Sequence, residues 1–289
     1  MRYDLNARNQ LRFTAEKKVS QLDFGNFVTS FDSRTEILEQ GNTTIRPEQI
    51  WEFSATYEHR FANDGGSIEI EGFYHNFKDH ITKIDFSEYE NFAGQSITAA
   101  DFFSLSEVAG FDTLRDSIAF NSKSGNVDSA TAYGLKFRSS FRLGLIGMPQ
   151  AVVGLGYTYE KKETTDQFTL LERTFDRHSD HTFTFNFRHD ITDLGFSYGF
   201  NGEVKSDRGA HDINYFWPMN PGVELTAFAE YNVFEGIKLR LDFENIINRR
   251  GNSSFIGYND HIRFDDSWGR INKLTRNPTE ITVSLQGTF

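Results

Sequence analysis

The residues with the most chemical promise sit in two short stretches. Asp176-Arg177-His178-Ser179-Asp180-His181 places two imidazoles near two carboxylates, side chains that a transition metal takes. Asn259-Asp260-His261 with Asp265-Asp266 offers oxygen ligands for calcium, or a carboxylate–imidazole pair for proton transfer. Neither stretch has the spacing its chemistry needs. The first runs into a strand at Thr182, where alternate side chains face opposite sides. The second has no nucleophile motif nearby. No Gly-x-Ser-x-Gly, phosphate-binding loop or His-Glu-x-x-His is present. There is no Cys, which removes disulfides, thiolate metal sites and thiol nucleophiles. A formal net charge of −11 repels phosphate backbones, so nucleic acid is not an expected partner. The expectation is a protein that is not an enzyme, with no metal and no cofactor.

The elements that carry these residues explain the composition. Apolar residues are only 38% of 289, yet 30 Phe, 11 Tyr and 3 Trp are present, and mean hydropathy is −0.52. Large apolar groups must therefore be interleaved with polar ones. They are, at period two, the strand signature. Ile237, Leu239, Leu241 and Phe243 alternate with Lys238, Arg240, Asp242 and Glu244, and Phe183, Phe185 and Phe187 alternate with Thr182, Thr184, Asn186 and Arg188. About ten such runs occur between Leu11 and Phe289. Each is close to the roughly 9–11 residues that a tilted strand needs to cross a bilayer. Short connections (62–66, 144–149, 190–193, 234–236) alternate with long ones (20–48, 80–128, 163–177, 206–221, 248–277). Short turns on one side and long loops on the other mark an outer-membrane barrel. The fold class expected is all-β: an antiparallel up-and-down transmembrane β-barrel with its aromatic face to lipid.

The opposite face carries Arg12, Glu52, Glu69, Glu71, Lys136, Arg138, Glu230 and Arg240, and is expected to line a wet lumen. Same-face pairing across the last short turn sets Val233 opposite Ile237. Phe234-Glu235-Gly236 then forms a three-residue loop with a left-handed glycine. That register places Asn232 opposite Lys238 and Glu230 opposite Arg240, a lumenal ion pair.

A resemblance follows from the motifs. Gly41-Asn42-Thr43-Thr44-Ile45-Arg46-Pro47-Glu48, then Trp51, Phe53 and Tyr57, resembles the GNPxLKPE loop-to-strand signature of TonB-dependent outer-membrane receptors. Ile68 to Asn76 with Asp79-His80-Ile81, Asn126 with Ala132-Tyr133-Gly134-Leu135-Lys136, and Leu239 to Asn248 are similar to later strands of that family, in the same order. Ile281, Val283, Leu285 and a terminal Phe289 look like its C-terminal assembly signal. Thr43-Thr44 stands where the family usually has Pro-Asp, and Lys136 where it usually has Glu. The resemblance implies an outer-membrane receptor for TonB-energised uptake of a scarce nutrient: a metal chelate, a vitamin or a glycan. Its implied partners are outer-membrane lipid, the barrel-assembly machinery, an extracellular small molecule and, through a plug and TonB box, the TonB complex.

The start Met1-Arg2-Tyr3-Asp4 is not a signal peptide, and neither a plug nor a TonB box is visible. The expectation is that residues 1–289 form the C-terminal portion of a 22-stranded barrel, about ten strands that stay open and are unlikely to transport alone. The alternative is a small complete ten-stranded barrel. It would be a passive pore, or a rim protease of the omptin kind using His178, Asp180, His261 and Asp266. Ligand-binding residues are not legible. The segment 80–128, with Phe86, Tyr89, Phe92, Phe102, Phe103 and Phe111, is the candidate lid over a ligand.

Overall fold

Period-two sequences fold here as one antiparallel meander. The computed structural model describes residues 1–32, 37–39, 41–234 and 236–287. Eleven strands follow one another in sequence and in space: β1 (Arg2–Asn6), β2 (Asn9–Val19), β3 (Gln49–Arg60), β4 (Gly66–Asp85), β5 (Ser122–Leu143), β6 (Met148–Thr165), β7 (His181–Ile191), β8 (Phe196–Lys205), β9 (Val223–Phe234), β10 (Ile237–Glu244) and β11 (Glu280–Gly287). Strands β1 and β11 end the sheet and do not pair with each other, so the barrel is not closed.

Register keeps each kind of residue on its own face. Across β2 to β6 one row reads Phe13, Ala55, Gly72, Leu135 and Tyr159. The adjacent row on the other face reads Arg12, Thr56, Glu71, Lys136 and Thr158. A slip of one residue in any strand would exchange the two faces. The apolar face stays open to its surroundings: Phe13, Trp51, Leu135, Tyr231 and Leu285 are all exposed. In a soluble sheet that face would be covered, whereas in a bilayer it is where the hydrocarbon sits.

The turn into β10 differs from the expected one. Glu230 pairs with Arg240 and Asn232 with Lys238, but Phe234, not Val233, pairs with Ile237. A bulge at Val233 absorbs the extra residue and shortens the turn. Gly236 takes the left-handed φ of 78° that the turn requires. Glu235, within the loop expected at Phe234-Glu235-Gly236, lies outside the described residues.

Strands also run further than the apolar alternation suggests. β4 has 20 residues and β5 has 22, about twice a bilayer crossing. Both are anchored at the short turn, so the excess projects at the long-loop end. The segment expected as a loop over 80–128 is therefore strand up to Asp85 and again from Ser122. Likewise 206–221 and 248–277 hold a four-stranded sheet of Arg208–Asp212, Tyr215–Asn220, Arg250–Tyr258 and Ser267–Arg276. These pieces stand clear of lipid, so neither face needs to be apolar and the alternation fades. No described helix is long and apolar enough to cross a membrane.

Phe200 lies on the lipid row of β8 and its neighbour Asn201 on the other face. Phe200→Arg is expected to lower folding stability in phosphatidylcholine vesicles by about 2–4 kcal/mol. Asn201→Arg should change it by less than about 0.5 kcal/mol. Denaturant titration in vesicles measures both.

Candidate functional site

The long-loop end of the sheet is held together by polar clamps. Asn42 is buried; its amide donates to the Ser124 carbonyl at 2.9 Å and its Oδ1 accepts from the Thr44 backbone at 3.0 Å. Asn126 answers from β5, accepting from the Arg46 backbone at 2.8 Å and donating to the Asp79 carbonyl at 2.7 Å. Glu48 bonds His80 Nδ1 with one carboxylate oxygen and donates its backbone N–H to the Ser20 hydroxyl oxygen at 3.0 Å. A Cβ on Gly41 would stand 2.3 Å from the Phe27 carbonyl oxygen, so only glycine lets these two backbones approach. Asn42 and Glu48 thus tie the 20–48 connection to the β4–β5 hairpin, and Gly41 closes that connection on itself.

A second cluster fills the top of that hairpin. Between β4 and β5, α1 (Ala99–Ser104) and α2 (Phe111–Asp116) bury Phe102, Phe103 and Phe111 with Tyr89. Phe264, from the connection between β10 and β11, closes the cluster. His261 is fully buried among these rings. Its Nδ1 accepts the Arg263 N–H at 3.1 Å, and its Nε2 faces Asp85 Oδ2 at 3.5 Å. The Tyr89 hydroxyl donates to the same oxygen at 2.5 Å. Burial pushes the Asp85 carboxyl up, but His261, Tyr89 and Ser87 together hold it below its ordinary 3.8. Burial and the Asp85 charge push the Tyr89 hydroxyl far up, so it remains a donor.

A cavity of about 710 Å³ opens between the β6–β7 and β8–β9 connections, lined by Phe175, His178, His181, Arg208, His211 and Phe216 among others. Behind it, Arg173 holds Asp166 through Nε and Asp176 through Nη1 at 2.9 Å. Burial raises the Asp176 carboxyl, but the bond from His211 and the charge of Arg173 outweigh it and leave its pKa lowered. The stretch 176–181 is thus committed to packing. His178 bonds the Glu160 carbonyl at 2.8 Å, and His181 bonds the Tyr157 hydroxyl at 2.8 Å. No group of three or more His, Asp or Glu converges on one metal-sized site among the described residues. His261 is sealed in the aromatic cluster, while His178 and His181 line the separate cavity.

The polar face below is a ladder of ion pairs. Glu69 meets Arg138 at 2.5 Å and Arg12 at 3.1 Å, Glu71 meets Lys136 at 2.9 Å, and Glu52 meets Lys18 at 2.5 Å. Glu230, 7% exposed, is the hub at the other end. It receives Arg240 at 2.5 Å, Arg188 at 3.2 Å and Lys238 at 3.5 Å. The Phe228 ring lies beneath both guanidinium groups, 4.6 Å from Arg240 and 5.3 Å from Arg188.

A family model described as "TonB dependent receptor-like, beta-barrel" matches residues 2–248. The chain belongs to the TonB-dependent receptor β-barrel family. No curated protein matches it in sequence. Among solved structures, the copper transporter OprC is 13% identical with a TM-score of 0.63, over 100% of this chain and 39% of OprC. The ferric enterobactin receptor PfeA of Pseudomonas aeruginosa is 13% identical with a TM-score of 0.61, over 100% and 39%. The FrpB iron transporter of Neisseria meningitidis is 9% identical with a TM-score of 0.55, over 100% and 38%. The chain therefore spans about two fifths of the length of these proteins. They share its fold.

As a TonB-dependent receptor barrel, the chain shows lipid its apolar rows and the lumen its charged ladder. Ile281, Val283 and Leu285 lie exposed on the lipid face of β11; Phe289 is outside the described residues. Motif matching could not have found the Asp85–Tyr89–His261 group, because His261 is far from the other two in sequence and the folded connections bring it to them. The Arg173 clamp on Asp166 and Asp176 is local in sequence, but composition does not show that these three side chains face one another.

Two outcomes follow. A double-mutant cycle of Glu230→Ala and Arg240→Ala should give a coupling energy within about 0.5–3 kcal/mol; additive losses would contradict the hub. Asp85, held below 3.8 in the folded loop, stabilises that loop above this pH, and the contribution fades as pH falls through the depressed value. Hydrogen exchange in 86–121 should accelerate over that acid window, and Asp85→Asn should remove the change.

Proposed function

We propose that this chain forms part of the wall and extracellular loops of an outer-membrane receptor that takes up a metal chelate with energy from TonB. Membership in the receptor family is the observation that carries this reading. The choice of a metal chelate is favoured by what the similar solved structures are: they include a copper transporter, a ferric enterobactin receptor and an iron transporter. A wet, charged inner face beneath an aromatic-rich loop cap suits passage of a polar cargo.

In this reading the hairpin top over 86–121 shields the cargo from bulk water, and the cavity at Phe175, His211 and Phe216 gives it a second wall. Coupling to TonB is the work of parts of the receptor other than these strands. The C-terminal residues Ile281, Val283 and Leu285 would present the assembly machinery with an apolar edge. The family's activity is transport, not catalysis, and the loop histidines are structural in this account.

The test is accumulation of isotopically labelled iron and copper chelates by cells carrying the whole receptor. Replacing 89–120 by a short Gly-Ser turn should weaken chelate binding at least about tenfold, equivalent to about 1.4 kcal/mol of lost contacts. Insertion should be unaffected. Unchanged binding, or no chelate accumulating in a TonB-dependent way, would remove the proposal.

A further inference from the structure

The lipid face of β2, β3 and β4 carries almost no charge. Its positions are the odd residues of β2 and β3 and the even residues of β4 up to Lys78, and none of them is a carboxylate. The lumenal positions of the same strands carry five: Glu16, Glu52, Glu58, Glu69 and Glu71. Yet two lysines do sit on the lipid side. Lys17 pairs with Trp51, and Trp51 with Asn76; Lys78 lies one step further out, opposite Gln49. Both lysines are exposed. Neither makes an ion pair among the described residues, unlike their lumenal neighbour Lys18, which holds Glu52 at 2.5 Å.

Their level matters. Both lie toward the long-loop end: Lys17 is level with the exposed Trp51 ring, Lys78 is one step further out, and both are past the row of the exposed Tyr74 and Tyr133 rings. Aromatic side chains settle at the headgroup level of a bilayer. The Lys17 ammonium stands 6.0 Å from the centre of the Trp51 ring. Two strands at about 4.8 Å spacing and an offset of two residues separate the lysine Cα atoms by roughly 12 Å. Both flexible side chains can reach across that gap toward one anion. Lys161, the next lipid-side lysine around the sheet, is already matched by Asp180 at 3.3 Å.

We propose that Lys17 and Lys78, at the rim marked by Trp51 and Tyr74, form a docking site for the phosphate of an outer-leaflet lipid headgroup. The site faces the membrane, away from the lumen and from any transported cargo. It rests on the reading of the aromatic face as lipid-facing. Two unpaired cations at headgroup depth are complementary to a phosphorylated lipid; the lipid-side carboxylate Glu163 lies two strands from Lys78 on the side away from Lys17 and makes no ion pair with it among the described residues. A lysine near a charged membrane surface strengthens binding by about fivefold, so two together give about 25-fold.

The experiment inserts the full chain, wild type and Lys17→Gln/Lys78→Gln, into phosphatidylcholine vesicles containing diphosphoryl lipid A. A parallel set contains the same lipid with its phosphates removed. The lipid retained on the protein after mild detergent extraction is counted by native mass spectrometry. The expected result is retention of phosphorylated lipid A by the wild type, an approximately 25-fold weaker retention by the double glutamine variant, and recovery in Lys17→Arg/Lys78→Arg. Lys238→Gln, a lumenal change, should retain lipid as the wild type does. Equal retention with and without the lipid phosphates would overturn the proposal, as would full retention by the double glutamine variant. Equally tight binding of inorganic phosphate to the detergent-solubilised protein would overturn it by assigning the lysines to a free anion. Failure of the wild type to insert would sink the lipid-facing reading itself; insertion without phosphate dependence would sink this site alone.

Discussion

One constraint organises the molecule: backbone N–H and C=O groups inside hydrocarbon must find partners within the protein. A meander meets it strand by strand, each neighbour in sequence supplying the ladder for the next. Once pairing is fixed, the period of two leaves no freedom. Every residue is assigned to lipid or to lumen, and the rows Phe13–Ala55–Gly72–Leu135–Tyr159 and Arg12–Thr56–Glu71–Lys136–Thr158 are the result. Cations and carboxylates then have to gather on one side, where they pair across strands. The ion-pair ladder is a consequence of that sorting, and the surplus of carboxylates over cations is largely kept off the lipid face.

Above the bilayer the constraint lifts and other forces take over. There the strands can be polar on both faces, and stability comes from buried polar clamps and from aromatic packing. The bonds of Asn42 and Asn126 bind segments that are distant in sequence, and the Arg173–Asp166–Asp176 group braces the β6–β7 connection on itself. The Tyr89–Phe102–Phe103–Phe111 cluster gives the longest connection a core of its own, into which Phe264 reaches from another. Loops built this way are shaped surfaces, suited to presenting fixed contacts to a ligand.

What could be read from the residues follows the same division. Within the membrane, alternation revealed the strands and their faces, and it located the Glu230–Arg240 opposition by requiring like faces to pair. The miss at Val233 arose because a bulge costs little at a strand end, and apolar pattern does not register it. Outside the membrane the pattern lost its cause. Ser122 to Ser129 has no apolar face to alternate, so the outer part of β5 looked like loop. The 176–181 and 259–266 stretches looked like ligand sets because composition shows which groups are present but not which way they face. His261 turns inward to Asp85 and the rings, and His181 turns to Tyr157. The motif residues Gly41, Asn42 and Glu48 were recognisable as a pattern. Their physical work, a close backbone approach and a rim clamp, is visible only in three dimensions.

The central claim is that alternate residues of each strand meet lipid and water. The chain has no Cys, so single cysteines can be placed along 237–244 without background and probed in vesicles. The account predicts that positions 238, 240 and 242 react with a membrane-impermeant maleimide, whereas 237, 239, 241 and 243 are protected from it and quenched by a lipid-borne spin label. Uniform reactivity along the strand, or the opposite phase, would contradict it.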